Sequence, residues 1–497
     1  MNKKFMKKNE ANKFDLFKKI LFSENGIRIQ EIIPQCNDSK STLYRYVQQI
    51  NEDLALAFPE ETLTIQQTKS LLYVSIPETM SFAYVIDFLR FYYITVSPEY
   101  AVFSAAADKN FSSSESLAQS INLSPSYTYK NIKSLNALLK PFKIKTAFGD
   151  PSKKTNIYGA ESDIRFLLFF AYWDILKGLV WPFNRSPKHF KNLPIPISTA
   201  LSPSQHTRLR YFQNITYWRI LYLQEQVSID EDFLTYLMIL NEVNPTVFTL
   251  DLKSTLSPDE IMTEQAYFSF LARFFIADID TKEMKKRTAQ LFIESNLPLA
   301  NSGQHLLTLL KEKYNLVIDE DDYLIFFYDL MIAFLYVKYI GIDHDSISEY
   351  EKHLSLLDVE KKYFYTMEQE LNTLIRSFGK NEDSLKIDLP DNLVNYMTNV
   401  LFCIVDSSKK IQPLTIFCQY SKNFYTVNEI KSNLLTIFGS KVIRYAETIH
   451  EADLVISDCY EGPIDNEKFF YFDNAFDRHT WRALFAFVNS KLYNVTF

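Results

Sequence analysis

The sequence predicts a mainly α-helical protein built from several domains, and three observations support this fold class. The chain has 497 residues, which is too many for one hydrophobic core of ordinary size. It is 47% hydrophobic with only 9 glycines, and its long stretches rich in Leu, Ile, Phe and Tyr are typical of helix rather than disorder. The third observation is a motif that occurs twice in the N-terminal part.

This motif occupies residues 29–54 and again residues 114–139, in the same register 85 residues apart. A sharp corner between two helices needs a residue that tolerates left-handed backbone geometry, and the helix after the corner needs a capping side-chain oxygen. Both copies supply an asparagine for the corner and a serine for the cap, so each predicts a helix-turn-helix. The matched pairs are Asn37 and Asn122, Ser39 and Ser124, Tyr44 and Tyr129, Asn51 and Asn136, and Leu54 and Leu139.

The second helix of each copy has an apolar face and a polar face. The side chains expected to face the core are Leu43, Val47, Ile50, Leu54, Thr128, Ile132, Leu135 and Leu139. The opposite faces carry residue types that suit DNA phosphates, base edges and backbone oxygens. One isolated copy would favour an ordinary amphipathic helix, but the repeat favours DNA binding. The candidate DNA-binding residues are Lys40, Thr42, Tyr44, Arg45, Gln48, Gln49, Ser126, Tyr127, Lys130, Asn131 and Lys133.

A predicted β-hairpin follows each copy and is interpreted as a wing. Residues 61–77 alternate Thr, Ile, Leu and Val about a polar centre, and Lys69 near the tip is a further candidate for a phosphate contact. In the second copy, the runs KIKTAF and NIYG flank a turn that is followed by Lys153 and Lys154. Residues 81–103, between the two modules, are rich in aromatic side chains and are predicted to pack rather than to bind.

The charge is divided unevenly along the chain. The net charge is -7, but residues 1–160 hold 20 Lys+Arg against 15 Asp+Glu, whereas the remainder holds 33 against 45. A basic module joined to an acidic body keeps the attraction for phosphate local. The lysines near the N-terminus indicate either a flexible basic arm that follows DNA or a solubilising tail. They are Lys3, Lys4, Lys7, Lys8, Lys13, Lys18 and Lys19.

The N-terminus does not resemble a secretory signal, because charges interrupt the segment FDLFKKILF before an apolar core can form. The most apolar window, LIFFYDLMIAFLYV, contains Asp329 and predicts a buried helix rather than a membrane span. The four cysteines have neither metal-ligand spacing nor the density of a disulfide framework. We therefore expect a cytoplasmic protein without a metal or other cofactor.

Two different patterns follow the repeated modules. Residues 161–389 form a run of helical periods with breaks at WPFNRSPKHFKNLPIPIS and NLPLANSG, which predicts two helical bundles. Their many Phe and Tyr residues are expected in the core. Beyond them, VLFCIVD, LTIFCQY, KVIRYA and ADLVISD are short β-rich runs alternating with helical segments. This alternation predicts a small α/β domain with βαβ units around a parallel sheet.

The whole chain resembles the Mga/AtxA family of Gram-positive virulence regulators. The resemblance is carried by STLYRYVQQIN, SINLSPSYTYKNIKSLN, IYGAESDIRFLLFFAYW and the WPF at residues 181–183. It implies two winged helix-turn-helix domains, two helical domains similar to phosphotransferase-system regulation domains (PRDs), and a C-terminal domain similar to a phosphotransferase EIIB component. The implied domains are 1–78, 79–162, 163–292, 293–392 and 393–497.

The same resemblance implies a transcription regulator that dimerises through its C-terminal parts and receives phosphate on histidine from a phosphotransferase phosphocarrier protein. His206 lies beside Arg208 and Arg210, whose guanidinium groups could receive the phosphate, although a histidine without a role is the alternative. The candidate phosphorylation sites are His206, His344 and His353. Cys418 stands where an EIIB enzyme carries its phosphorylated cysteine, but the following QYSKNFY lacks phosphate-cradling glycines. We interpret this domain as structural or dimerising.

Two other functions stay open at the level of sequence. A sugar phosphotransferase component is supported only by the C-terminal domain and Cys418. An RNA-binding PRD antiterminator would share the regulation domains, but winged helix-turn-helix modules suit the DNA major groove. No Ser-His-Asp set, Walker loop or metal-ligand cluster follows from the spacing, so we do not expect an enzyme. The expected partners are double-stranded promoter DNA, with A·T-rich or curved DNA first to test, a second copy of the chain and the phosphocarrier protein, but no membrane.

Overall fold

A computed structural model describes most of the chain and is mainly helical with small sheets, which confirms the predicted fold class. Contacts divide it into a larger unit, Met1–Gly303 with Leu324–Glu349, and a smaller unit, Gln304–Tyr323 with Tyr350–Phe497. The division into five domains stays a prediction. The described residues are 5–23, 26–33, 39–68, 71–182, 201–244, 252, 255–342, 358–382, 389–408, 413–423 and 425–496.

The first repeated module begins the larger unit. Its elements are α1 (Lys8–Leu21), β1 (Ile27–Arg28), α2 (Ile29–Ile32), α3 (Lys40–Ala57), β2 (Thr64–Thr68) and β3 (Leu71–Ser75). Strands β2 and β3 form an antiparallel hairpin in which Ile65 pairs with Val74. Strand β1 pairs with β3 through Ile27 and Leu72, so the sheet order is β1-β3-β2. The structure therefore contains the predicted first hairpin.

The lysine-rich N-terminus is folded, and the prediction of a flexible arm is wrong for residues 5–23. Helix α1 buries an apolar face that includes Phe14, Phe17 and Ile20. Lys13 is also buried, and its ammonium lies 2.5 Å from the carboxylate of Asp53 on α3. The apolar side chains between the lysines recur at helical spacing, and their burial outweighs the effect of the charge run. Lys3 and Lys4 lie outside the described residues.

The second module repeats this arrangement. Its elements are α4 (Phe82–Thr95), α5 (Pro98–Asp108), α6 (Ser114–Ser120), α7 (Pro125–Leu139), β4 (Lys145–Thr146) and β5 (Ile157–Tyr158). Strands β4 and β5 are antiparallel, as predicted for the second wing. The buried Asn156 donates to the carbonyl oxygens of Phe111 (3.0 Å) and Ala147 (2.8 Å) and accepts from the Phe111 N–H at 2.7 Å. The aromatic-rich α4 buries its inner face, as expected for a packing segment.

A helical body follows the second module. Its helices are α8 (Glu161–Leu176), α9 (Pro203–Tyr217), α10 (Glu231–Val243), α11 (Pro258–Phe275), α12 (Lys282–Ser295), α13 (Pro298–Tyr314) and α14 (Glu320–Leu335). Helices α9 and α14 each continue as a short π-helical turn, Trp218–Tyr222 and Tyr336–Ile340. The segment Glu320–Ile340 is apolar and long enough to cross a membrane, but 67% of it is buried inside the protein. It therefore packs as the buried helix that the sequence predicts.

A network of buried charges holds three parts of this body together. Arg165 on α8 lies 3.2 Å from Glu264 on α11 and 2.5 Å from Glu161 on its own helix. Arg219 donates to Glu161 at 2.9 Å, and the Val227 N–H donates to Glu264 at 2.8 Å. Burial alone would raise the pKa of Glu161, but the charges of the two arginines outweigh it, so that pKa is lowered. Every charge in the network is therefore paired.

The smaller unit ends in the predicted α/β domain. Its described elements outside α13 and α14 are α15 (Asp358–Asn381), α16 (Asp391–Ser408), β6 (Leu414–Cys418), α17 (Thr426–Phe438), β7 (Ile443–Tyr445), β8 (Leu454–Ser457), β9 (Phe469–Tyr471) and α18 (Arg478–Thr496). The four strands are all parallel in the order β7-β6-β8-β9. Ile416, at the centre of the sheet, pairs with Tyr445 on one side and Leu454 on the other.

One β-rich run of this domain was predicted wrongly. VLFCIVD, residues 400–406, is not a strand but belongs to α16, which buries residues at helical spacing from Leu393 through Val394 and Met397 to Leu401. A short apolar run cannot be assigned to strand or helix by periodicity alone, and only the upstream turns of α16 reveal its period. Strand β9, which the sequence did not predict, completes the sheet.

Replacing Arg165 with Met should strongly destabilise the larger unit. Removal of one partner from a buried ion network leaves Glu264 without its opposite charge, at a cost of about 3 kcal/mol. Urea unfolding followed by tryptophan fluorescence measures this loss, because Trp173 and Trp218 lie in the same body. The control is Arg287→Met, whose exposed ion pair with Glu294 should contribute little. Equal midpoints for both variants would contradict the role of the network.

Candidate nucleic-acid interface

The two recognition helices, α3 and α7, begin in the same way. The Ser39 hydroxyl accepts from the Thr42 N–H at 3.2 Å, and the Ser124 hydroxyl accepts from the Tyr127 N–H at 3.4 Å. Asn122 has a φ of 55°, the left-handed geometry predicted for the corner before α7. Its counterpart Asn37 lies outside the described residues. Both serine caps that the sequence predicts are thus present.

Helix α3 presents most of its candidate residues to solvent. The exposed candidates are Lys40, Tyr44, Arg45 and Gln48, and the half-buried ones are Thr42 and Gln49. Leu43, Ile50 and Leu54 face the core as predicted. Val47 is only half-buried, and Tyr46 takes the deeper position. The exposed face therefore combines two cations with a tyrosine that is 38% exposed.

Helix α7 confirms its predicted inner face but changes the list of outward residues. The exposed candidates are Ser126, Tyr127, Lys130 and Lys133. The outward placement of Asn131 is wrong, because this residue is 3% exposed and its amide donates to the Tyr127 carbonyl at 2.9 Å. Its spacing from Thr128 and Leu135 places it on the inner stripe, and polarity alone suggested otherwise. Tyr129, which was not among the candidates, is 67% exposed, and its register with Tyr44 was the signal for it.

One asparagine on each recognition helix clamps the helix to its wing. The side chain of Asn51 accepts from the Ile65 N–H at 2.7 Å and donates to the Ile65 carbonyl at 3.1 Å. Asn136, the matching residue of the second copy, accepts from the Thr146 N–H at 2.6 Å and donates to the Thr146 carbonyl at 3.2 Å. The sequence aligned these asparagines, but it did not indicate their role. Each wing is therefore fixed in position relative to its own recognition helix.

The wing lysines differ in their availability to DNA. Lys69 lies outside the described residues. Lys153 is half-buried and forms an ion pair at 3.3 Å with Glu225 of the helical body, whereas Lys154 is exposed. The ammonium of Lys143 donates to the Ile340 carbonyl at 2.6 Å. Both Lys143 and Lys153 thus attach the second module to the body. Of Lys143, Lys153 and Lys154, only Lys154 stays a candidate for a DNA contact.

Of the three histidines proposed for phosphorylation, the described residues include only His206. His344 and His353 lie outside the described residues. His206 is half-buried on α9, and Arg210 is on the same side of the helix because it is four residues away. Arg208 is only two residues away, and its guanidinium packs inward over the rings of Trp173 and other aromatic residues. Of the two arginines, Arg210 is therefore the one that shares the His206 side of α9.

The surroundings of Cys418 do not favour a reactive thiol. Its thiol is buried at the end of β6, and burial raises its pKa to about 12. Such a thiol stays protonated at neutral pH and is a poor nucleophile. Over the described residues, no group of three or more His, Cys, Asp or Glu side chains is arranged to hold a metal ion.

Comparison with known proteins supports the nucleic-acid interpretation. Residues 84–172 match the family model of the Mga helix-turn-helix domain, a segment that runs from α4 through both strands of the second wing into α8. No curated protein matches the chain. Mga helix-turn-helix domains belong to transcription regulators, so the resemblance predicted from the sequence is confirmed over this segment.

Replacing Asn51 or Asn136 with Ala should weaken DNA binding by releasing the wing. The substitution leaves a strand N–H without its acceptor, which costs about 1–3 kcal/mol. This loss should loosen the wing relative to the recognition helix. Gel-shift titration measures affinity, and hydrogen exchange at the Ile65 or Thr146 amide reports the release directly. Asn131→Ala is the control, because among the described residues the Asn131 amide bonds within its own helix. Unchanged exchange at both amides would refute the clamp.

Proposed function

We propose that this protein is a transcription regulator of the Mga/AtxA type that reads duplex DNA with two winged helix-turn-helix modules. The matched Mga domain supports a DNA-binding transcription regulator. The observation that carries the finer proposal is the double occurrence of one design, since both modules have a serine-capped recognition helix, an exposed tyrosine and an asparagine clamp on the wing. The matched domain covers only the second of them.

The exposed side chains support binding that depends mainly on the DNA backbone. Arg45, Lys130 and Lys133 suit phosphates, and Arg45 could also reach a guanine edge. Tyr44 and Tyr129 add hydroxyl groups at equivalent positions of the two helices. Because few of these groups distinguish bases, the shape of A·T-rich or curved DNA would supply much of the sequence preference.

The resemblance extends the proposal to dimerisation through the C-terminal parts. An open groove between α17 and α18 supports it, because apolar side chains are exposed there. Ile437 in the groove is 55% exposed, and Phe476 just before α18 is 91% exposed. A dimer would hold four DNA-binding modules together and raise affinity through effective concentration.

The proposed signal is phosphorylation of histidine by a phosphotransferase phosphocarrier protein. His206 with Arg210 is the described site that supports it, and His344 and His353 stay candidates by resemblance alone. A phosphoryl group adds up to two negative charges, which Arg210 could bind in a charge-assisted hydrogen bond. The Arg210 Nε is buried and has no hydrogen-bond partner among the described residues, so it is available to such a group.

The alternatives receive less support from the structure. A phosphotransferase component would need a reactive cysteine, but Cys418 is buried and its pKa is raised. An RNA-binding antiterminator would not need two winged modules, whose helices fit the DNA major groove. We therefore propose a regulator located in the cytoplasm, without enzymatic activity of its own.

Replacing Arg45 or Lys130 with Ala in the full chain should weaken binding to every duplex. Each loss of a phosphate contact should flatten the dependence of log affinity on log salt by about one unit. Gel-shift titrations at several salt concentrations, with curved A·T-rich DNA and a random duplex, measure both quantities. Arg287→Ala, a substitution of an exposed arginine on α12, is the matched control.

The full chain is needed for this test, because the second module packs against the body through Lys143, Lys153 and the rings of Phe142 and Phe166. Wild-type affinity and slope in both variants would remove the two helices from the interface.

Replacing His206 with Asp should shift the balance between monomer and dimer if phosphorylation controls assembly. The added charge mimics part of a phosphoryl group, and Arg210→Gln in the same chain should reduce the shift because it removes the receiving guanidinium. Light scattering measures the mass, and a promoter reporter measures the output. His450→Asp introduces the same charge at an exposed histidine and should change neither. Identical masses for wild type and His206→Asp would end this part of the proposal.

A further inference from the structure

Three cationic side chains meet at the C-terminal end of α8, away from the recognition helices. Lys177 and Arg208 both lie against the ring of Trp173, with the ammonium and guanidinium 5.8 Å and 5.2 Å from its centroid. Arg90 of α4 reaches the same turn and donates to the Asp174 carbonyl. Residues from the second module and the helical body thus contribute to one cluster, which we call the Arg90–Lys177–Arg208 cluster.

The positive charge of this cluster is not fully balanced. Asp87 lies 3.3 Å from Arg90, and Asp174 is close enough to act on Lys177 and Arg208, so among the described residues two carboxylates accompany three cations. Burial lowers the pKa of all three cations, that of Arg208 to about 10, and the nearby carboxylates do not restore it. With a pKa of about 10, the Arg208 guanidinium carries its charge at neutral pH. A surplus positive charge is therefore held in a partly dry environment, where an anion would be bound strongly.

The cluster also has a hydrogen-bond donor that the described residues leave unused. The Nε of Arg208 is buried and has no acceptor among them. The buried Nη2 of Arg90 lies 3.3 Å from the Asp87 carboxylate in an ion pair but makes no hydrogen bond among the described residues. A buried donor without a partner costs about 1–3 kcal/mol, so a ligand that supplies acceptors would be favoured. The carbonyl groups of the last turn of α8 do not fill this role, because Trp173 and Asp174 already accept from Lys177 N–H and Arg90.

We propose that Arg90, Lys177 and Arg208 form a binding site for a small phosphate-bearing molecule, either inorganic phosphate or a phosphate monoester. A tetrahedral phosphate presents several acceptor oxygens and up to two charges, which match two guanidinium groups and one ammonium. The Trp173 ring, which both Lys177 and Arg208 approach, gives the site an apolar wall that would suit the carbon part of a monoester. This site is separate from the recognition helices and does not depend on the DNA-binding proposal.

Such a ligand would connect the second winged module to the body. Arg90 belongs to α4, at the start of the matched Mga domain. Lys177 directly follows α8, and Arg208 belongs to α9. A phosphate bound by all three would add a contact that exists only when the ligand is present. Ligand binding would therefore stabilise the folded larger unit by mass action.

Isothermal titration of the full chain with inorganic phosphate and with methyl phosphate tests this site. We expect one phosphate per chain, and we expect Lys177→Gln and Arg208→Gln each to weaken binding by about tenfold, as for loss of one charge-assisted hydrogen bond. Arg287→Gln, on the exposed side of α12, should bind as the wild type does. Lys177→Gln is the variant with the least risk to folding, because its ammonium contacts only the Trp173 ring among the described residues.

Near-UV circular dichroism and thermal unfolding without phosphate check that the variants are folded. The thermal midpoint of the wild type should rise with phosphate, while chloride at equal ionic strength should not raise it. Absence of binding by the wild type, or equal affinity in wild type and Lys177→Gln, would overturn the proposal. Displacement of phosphate by duplex DNA would also overturn it, because the cations would then belong to the DNA surface. None of these three results would change the outcome of the DNA-binding test on Arg45 and Lys130.

Discussion

Both winged modules depend on a single asparagine that joins the recognition helix to the wing. The side chains of Asn51 and Asn136 each bond to both the N–H and the carbonyl of a single strand residue. Each clamp therefore adds two hydrogen bonds like those between paired strand residues. A short hairpin in water is marginally stable by itself. The helix and its wing therefore act as one rigid surface, and the exposed cations of the helix keep a fixed distance from the strands.

The sequence predicted the elements of this surface better than its details. Serine caps, the left-handed Asn122 and the hairpins follow from local chemistry, because each depends on residues close together in the chain. The burial of Asn131 and the clamp of Asn136 depend on what surrounds α7 in three dimensions, and polarity alone could not distinguish these two asparagines. The folding of α1 was missed for a similar reason, since the partner that buries Lys13 is Asp53, forty positions away.

Two buried arginines organise the helical body in a comparable way. Arg165 connects α8 to α11, and Arg273 binds Asp280 at 2.7 Å, to which the Tyr328 hydroxyl of α14 also donates. Buried ion pairs contribute little net stability compared with apolar packing, but breaking one is costly. They therefore favour one arrangement of helices over its alternatives. The second module is also held in place relative to the body, because Lys143 donates to the last carbonyl of the π-helical turn after α14.

The lengths of the two wings differ, and this difference gives the two modules unequal stiffness. Strands β2 and β3 have five residues each, whereas β4 and β5 have two each. A ladder of two residues opens with little loss of cooperative structure, while a ladder of five resists local unfolding. The first wing therefore resists local unfolding more than the second, whose short ladder relies more on the Asn136 clamp.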